Sequence, residues 1–384
     1  MMKVAVLTTG RQDWGIIRST CKGLQKESSI DLKIITGGMA CSDKYGKTEN
    51  SIRSEDFEIG YSMNWLHDQG TMSAETQAAL SLEYTGKALD QTKPDCLLLI
   101  GDRFETAASA LAATIKKIPI VHIGGGFETE GAFDNSFRHA ITKMSSLHFV
   151  SNQENANRVL QMGEDPSSVK IVGSAGLDNL CRTDLADKKE LEEFLGIELT
   201  HPLVIVTFHP ATLCDMESEL ENKAMLDAFE EIDATYVITL PNTDPGSEEI
   251  RNQQINFCRT STKAIAIKSL GERRYLGMMK ISDLIVGNSS SAIIEAPLIG
   301  VPVINIGNRQ KGRKKSANII DTLPSKSSIV DAIKLALSDG FRSQAKTADS
   351  YYGDGKTGNR IVRILRDWVP PSPPVKKFHE LNTI

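Results

Sequence analysis

Short, uninterrupted apolar runs recur along the chain, most ending in glycine, proline or a charged residue and most followed by a stretch with helical spacing. In the first half this pattern predicts strands at Val4–Thr8, Leu32–Thr36, Cys96–Ile100, Ile118–Ile123 and Leu147–Val150. Helices are predicted near Ile16–Lys26, over Ala74–Gln91, in the Ala-rich stretch before Ile118, and around Asn135–Ser145. Ser73 is the N-cap of the second, and Leu80, Leu82, Tyr84 and Leu89 supply its apolar faces. The alternation resumes with strands at Pro202–Phe208, Thr235–Leu240, Ala264–Ile267, Leu284–Val286 and Val301–Asn305, and a helix at Asn222–Glu231. A final helix over Asn359–Trp368 meets Val369-Pro370-Pro371-Ser372-Pro373-Pro374, which cannot be helical. Strand alternating with helix implies parallel sheets. The expected class is α/β: two Rossmann-like, doubly wound domains facing across a cleft, with the linker in Val172–Asp184 around Gly173 and Gly176.

Bulk properties add limits. The 384 residues suffice for two domains or three, each with its own core. A net charge of −5 offers no general attraction to nucleic acid or an acidic membrane, yet leaves room for a basic groove holding one anionic small molecule. The opening run is too short for a signal peptide and has no cleavage site, and no apolar stretch nears the roughly 18 residues that span a bilayer. Six cysteines (Cys21, Cys41, Cys96, Cys181, Cys214, Cys258) are scattered without CxxC pairing, which reads as reduced, mostly buried thiols and a cytoplasmic setting.

Candidate chemistry gathers at the ends of the predicted strands, where open α/β sheets bind ligands. Ile100–Lys143 brings a Gly-Asp-Arg after one strand and three glycines after the next. Glu128, Glu130, Asp134, Arg138 and His139 follow within a dozen residues. Gly287-Asn288-Ser289-Ser290-Ser291 is a tight turn into a helix, where backbone N–H groups and hydroxyls suit a phosphate, with Glu295 one turn on for a ribose diol. The same serines would also serve as plain helix caps. Arg11, Arg103, His209, Arg309 and Arg313 fall at corresponding turns. Singly each reads as a surface charge; together they suit a diphosphate held bidentately without a metal. Lys311, Lys314 and Lys315 read equally as a solubilising loop. GxGxxG, P-loop, HExxH and GxSxG motifs are all missing, which argues against a nicotinamide cofactor and a zinc site. His67, His148, His201 and His379 show no metal-ligand spacing.

GDR with RHAITKMSSLHF, then VGSAGLDN, HP, PNTD, GNSSS with EAP, and INIGNRQKGR, in order over nearly the whole chain, resemble the UDP-N-acetylglucosamine 2-epimerases. The nearer likeness is to the hydrolysing branch of bacterial sialic and legionaminic acid synthesis. The resemblance implies a glycosyltransferase-B type fold and conversion of UDP-N-acetylglucosamine and water to N-acetylmannosamine and UDP. Residues 1–176 would be the sugar and catalytic side, 177–357 the UDP-binding domain, and 358–384 a helix and tail returning to the first. It puts Arg11, Arg103, His209, Asn242, Asp244, Ser289, Ser290, Glu295, Arg309 and Arg313 around UDP. Asp102 and Asp134 become the acid/base candidates, supported by Arg138 and His139. Neither nicotinamide nor metal is required, and a homodimer or homotetramer is implied, with no nucleic-acid or membrane partner.

One stretch departs from the family pattern. Relatives show His-Ile-(His or Glu)-Gly-Gly-Glu where this chain has His122-Ile123-Gly124-Gly125-Gly126-Phe127-Glu128. Gly124 and Phe127 thus occupy positions where relatives carry polar or acidic groups. Glu128 could swing into the missing role, Phe127 could face a 6-deoxy sugar, or activity could be impaired. The first account is the expectation taken forward. The alternative substrate is UDP-2,4-diacetamido-2,4,6-trideoxyglucose. A glycosyltransferase of the same fold and a non-catalytic UDP-sugar-binding protein are the readings from other classes.

Overall fold

The computed structural model describes residues 1–66, 72–128, 134–210, 215–241 and 247–380. The chain divides into two compact units, Met1–Asn179 with Tyr352–Ile384, and Leu180–Tyr351. The first holds β1 (Met2–Thr8), β2 (Ile30–Gly37), β3 (Ile59–Met63), β4 (Cys96–Ile100), β5 (Ile120–Ile123), β6 (Leu147–Val150) and β7 (Val169–Ile171). These form one seven-stranded sheet in the order β3-β2-β1-β4-β5-β6-β7, with every pairing parallel.

Side chains alternate between faces along a strand, so the apolar runs feed two cores. Val4, Val6, Leu98, Ile100, Val121, Ile123 and Phe149 pack on one face with Trp14, Ile17, Cys21 and Leu24 of the helix Arg11–Lys26. Ile361 and Leu365 of the helix Thr357–Asp367 join that face. Ala5, Leu7, Leu97 and Leu99 pack on the other, under Ala88 and Leu89 of the helix Ala74–Thr92, Ala110 and Ala113 of Phe104–Ile115, and Ile141 of Asp134–Met144. Ser73 caps Ala74–Thr92, its side chain accepting from the Thr76 N–H.

The second unit holds β8 (Leu203–Thr207), β9 (Thr235–Thr239), β10 (Ala264–Ile267), β11 (Leu284–Gly287), β12 (Val303–Ile306) and β13 (Ile319–Thr322). The order is β10-β9-β8-β11-β12-β13, again all parallel. Five of these strands are expected from sequence; β13, half-exposed at the sheet edge, is an addition.

In each sheet one strand, β1 or β8, has its sequence-adjacent neighbour on one side and a later strand on the other. At such a switch the connections leave in opposite directions and open a crevice beyond the carboxyl ends of the two central strands. In the first sheet those ends lead into Thr9–Asp13 and Gly101–Arg103; in the second, into Phe208–His209 and Asn288–Ser289. The loop after β1 is shorter than the apolar pattern indicates. Its helix begins at Arg11 rather than near Ile16, because the Asp13 carboxylate accepts from the Thr9 N–H at 3.0 Å and closes the turn.

Cys21, Cys41 and Cys96 are buried free thiols, Cys258 is half-buried and Cys181 exposed; Cys214 and His67 lie outside the described residues. No described helix is long and apolar enough to cross a membrane.

Candidate active site

The switch of the first sheet carries a connected network of charged side chains. Gly101, in a left-handed conformation (φ 78°), turns the chain out of β4. Asp102 then accepts from Nη2 of Arg138, which is 3% exposed and reaches back from the helix Asp134–Met144. Nη1 of Arg138 donates to the Phe127 carbonyl at 2.8 Å and to the Asn135 side-chain oxygen. Asn135 in turn donates from Nδ2 to Glu128 at 3.1 Å, and Glu128 lies 3.2 Å from Nε2 of His139. Asp102, Arg138, Asn135, Glu128 and His139 therefore form one continuous chain of polar contacts. The His139 Nδ1 is buried and has no hydrogen-bond partner among the described residues.

Asp134 opens the same helix. Burial raises its carboxyl above the ordinary aspartate range, the charge of Asp102 adds to that, and Arg138 and Arg103 pull it back. A carboxyl that binds its proton more tightly than an ordinary aspartate, beside a carboxylate bound to arginine, is the pairing an acid and a base require.

Arg103 precedes the helix Phe104–Ile115 and forks onto the buried Glu105, Nε at 3.1 Å and Nη2 at 2.7 Å. Asp13 is also buried here, raised by burial against the Thr9 donors and the Arg103 charge. Arg11 is exposed in the first turn of its helix. Asp13, Glu105 and Asn135 escape the sequence reading. Asp13 stands inside the GRQDWG loop and Asn135 beside Asp134, but only the folded chain shows what they hold.

The glycine run owes its composition to the backbone. Gly124 and Gly126 have φ of 99° and 79°, and a Cβ on Gly126 would sit 2.2 Å from the Asn155 carbonyl oxygen. His122, wholly buried beneath, lies with Nε2 2.9 Å from the Gly101 carbonyl and Nδ1 3.4 Å from the Thr142 hydroxyl. Burial pushes this imidazole down to about 3, so it is neutral, donating through Nε2. It fixes the turn that presents Asp102. Glu130 lies outside the described residues, as do Asn242 and Asp244.

The switch of the second sheet is built from amides and hydroxyls. A Cβ on Gly287 (φ 138°) would lie 2.0 Å from the Thr207 carbonyl, so β11 passes hard against β8. Asn288 locks that contact: Oδ1 accepts from the His209 N–H and Nδ2 donates to the His209 carbonyl, both at 2.8 Å. The Asn288 carbonyl accepts from Arg309 at 3.0 Å and from Gln310 at 2.8 Å, which ties the Gly307–Arg313 loop to the turn. The Arg313 N–H closes that loop onto Gln310 at 3.3 Å. Lys315 is taken up by Asp321 at 2.7 and 2.8 Å rather than standing in an open solubilising loop.

Ser289 caps the helix Ser290–Ile294, accepting from the Ser291 N–H at 3.3 Å. That helix has only 5 residues before the chain turns at Glu295 into Ala296–Ile299, with Pro297. Its macrodipole is correspondingly small, so any anion here is held by local N–H and O–H donors. Ser291 donates to Glu295, whose carboxyl burial pushes up to about 7. Among the described residues no group of three His, Cys, Asp or Glu side chains could hold a metal ion.

Comparisons with known proteins agree with one another. Residues 22–366 match the sequence model of a family described as UDP-N-acetylglucosamine 2-epimerase. A GDP/UDP-N,N'-diacetylbacillosamine 2-epimerase (hydrolyzing) of Campylobacter jejuni is 35% identical over 83% of this chain and 84% of its own. Polysialic acid biosynthesis protein P7 of Escherichia coli is 34% identical over 96% and 95%. The crystal structure of the UDP-GlcNAc 2-epimerase from Neisseria meningitidis, bound to UDP-GlcNAc, shares the fold with a TM-score of 0.78. It covers 95% of this chain and all of its own at 19% identity.

Proposed function

The chain belongs to the UDP-N-acetylglucosamine 2-epimerase family, and from that premise we propose that it is a hydrolysing UDP-sugar 2-epimerase, forming N-acetylmannosamine and UDP from UDP-N-acetylglucosamine and water, as in sialic acid biosynthesis. The observation that carries this reading is the Asp102–Arg138 pair with Asp134 beside it.

The chemistry needs such a pair because the C2 proton of the sugar is not acidic while C1 is an acetal carbon. As the C1–O bond to the diphosphate breaks, its electron pair leaves with UDP and C1 gains oxocarbenium character. Asp102, held as an acceptor by Arg138, takes the C2 proton, and the C2–H electrons form the C1=C2 bond of a glycal. Water then adds its hydroxyl to C1. Asp134 passes a proton to C2 from the opposite face, inverting that centre, and takes up the proton that water loses in bonding to C1, while the proton held by Asp102 leaves to solvent. Two faces require two groups. Glu128 and His139 extend the network and relay protons to Asp102 and Asp134.

The amide and hydroxyl turn of the second unit is assigned to the nucleotide. Ser289, Ser290 and Arg309 meet the diphosphate and Glu295 a ribose diol, with His209 and Arg313 alongside. Arg11 and Arg103 are assigned to the departing charge, which fixed donors stabilise as it develops. Asn242 and Asp244 keep the assignment that the resemblance implies.

A second substrate is favoured by a specific residue. Phe127 places an apolar side chain after the glycine run, suited to a 6-deoxy sugar, and the Campylobacter relative is named for N,N'-diacetylbacillosamine, the 2,4-diacetamido-2,4,6-trideoxy sugar.

The test is incubation with each UDP-sugar in deuterated water. An epimerase of this kind releases UDP and the free sugar with deuterium at C2, and the faster substrate identifies the pathway. UDP release without deuterium at C2 would leave only a nucleotide-sugar hydrolase. Glu128→Gln should lower turnover about tenfold; a wild-type rate would remove Glu128 from the relay.

A further inference from the structure

The C-terminal tail ends against the helix that carries the charged network. Lys376, far along the chain, donates from Nζ to the carbonyls of Thr142 at 3.3 Å and Lys143 at 2.9 Å, in the last turn of Asp134–Met144. The same ammonium lies 2.5 Å from Glu164, which is 1% exposed. Glu164 also receives Lys143 at 2.7 Å and lies 2.9 Å from Nε2 of the buried His148. Two residues on, the Phe378 ring lies against Gly163, where a Cβ would come within 2.3 Å, and beneath the Lys143 ammonium at 5.3 Å. The His379 N–H closes the strap on the Gly163 carbonyl at 2.9 Å.

We infer that Lys376 is a positioning residue: by capping the carboxyl end of the helix Asp134–Met144 from the C-terminal tail, it sets where Asp134, Arg138 and His139 stand at the other end.

Three observations support this. Helix C-termini leave carbonyls without intrahelical partners, and a lysine ammonium both satisfies them and complements the dipole. The wholly buried Ile141 is the helix's apolar anchor. Asp134 lies about 10 Å from it along the axis and the capped carbonyls only about 3 Å, so a shift of about 0.5 Å at the cap is more than 1 Å at Asp134. Thr142, whose carbonyl Lys376 holds, also touches His122, and His122 holds the Gly101 carbonyl next to Asp102. The tail thus acts on both carboxyl groups without touching either. Misplacement by about 1 Å is enough to cost a large part of turnover. Removing the ammonium still leaves Glu164 with Lys143 and His148, so the fold is not asked to bury a lone charge.

The inference rests on the epimerase reading for its kinetic arm only. Lys376→Met should lower kcat at least about tenfold while KM for the UDP-sugar stays within about twofold. Lys376→Arg, which keeps charge and donors, should recover most of the loss. Amide hydrogen exchange should speed up over residues 134–144 and remain unchanged in β1, β4 and the second unit. Unaltered kcat with unaltered exchange in that helix would overturn the inference, and so would exchange rising throughout the first sheet, which would make Lys376 merely structural. If the wild-type protein turns over no UDP-sugar, the functional reading fails, and the exchange comparison between wild type, Lys376→Met and Lys376→Arg still decides the tail's role.

Discussion

The two switch points share one topology and differ in almost every side chain. Beyond β1 and β4 stand Asp13, Asp102, Arg103, Glu105, Asp134 and Arg138, largely paired charges in which one carboxyl is raised by burial and, less, by its neighbour. Beyond β8 and β11 stand Asn288, Ser289, Ser291 and Gln310, neutral donors and acceptors locked by the Asn288–His209 exchange. Parallel strand order decides where loops converge; the residues decide what can happen there. A step that moves protons needs groups whose charge can change, and those groups need partners to hold them. Recognition of a diphosphate already formed rests on fixed donors whose protonation does not change, and the carboxyl there whose charge does change, Glu295, is assigned to the ribose instead.

The sharpest way to break this contrast is to remove one carboxylate. Asp102→Asn should lower turnover by about 10²- to 10⁴-fold, and Asp134→Asn should do the same, while calorimetric affinity for UDP stays near wild type. The buried Arg138 loses its carboxylate partner in the first variant, so that variant's folding is checked by circular dichroism. Parallel losses of UDP affinity would erase the division of labour.

Next in size are the two glycines that let backbone pass backbone. Gly126→Ala and Gly287→Ala each place a Cβ near a carbonyl oxygen, at 2.2 and 2.0 Å, in a backbone region unfavourable to alanine. Each should lower stability by roughly 1–3 kcal/mol in thermal unfolding. Their functional costs should diverge: Gly126→Ala lowers kcat, Gly287→Ala weakens UDP binding.

The smallest effect is the pH dependence of Glu295. Its folded carboxyl is raised to about 7, so the stability it contributes is full below the ordinary glutamate range and is lost as pH rises through about 7. UDP affinity should run the other way, increasing several-fold across that window as the carboxylate able to accept from a ribose diol appears. Glu295→Gln should flatten both profiles. A steep affinity profile persisting in that variant would take Glu295 out of the nucleotide site.

Legibility followed burial. β4 and β6 have the bounds read from their apolar runs, because interior strands of a parallel sheet are apolar on both faces, and the edge strand β10 was read because Ala-Ile-Ala-Ile is apolar throughout though only half-buried. β3, β7 and β13 escaped, since edge strands such as Ile-Gly-Tyr-Ser-Met mix exposed and buried positions over a few residues. In the candidate site, Asp102, Asp134, Arg138 and His139 stood out as ionisable groups after strands. Asp13 and Glu105 did not, because their meaning lies in which arginine or threonine they meet after folding. The 5-residue helix after Ser289 was equally hidden: nothing local to GNSSS says how soon the chain will turn.

His122 gives the molecule a built-in spectroscopic reporter. A neutral imidazole fixed in one tautomer, with Nε2–H against the Gly101 carbonyl and no contact with solvent, should give nitrogen-15 signals indifferent to pH across the working range. Because its two nitrogens face the Asp102 turn and the Asp134–Met144 helix, a change in those signals on adding a ligand would register movement of that turn or helix rather than titration.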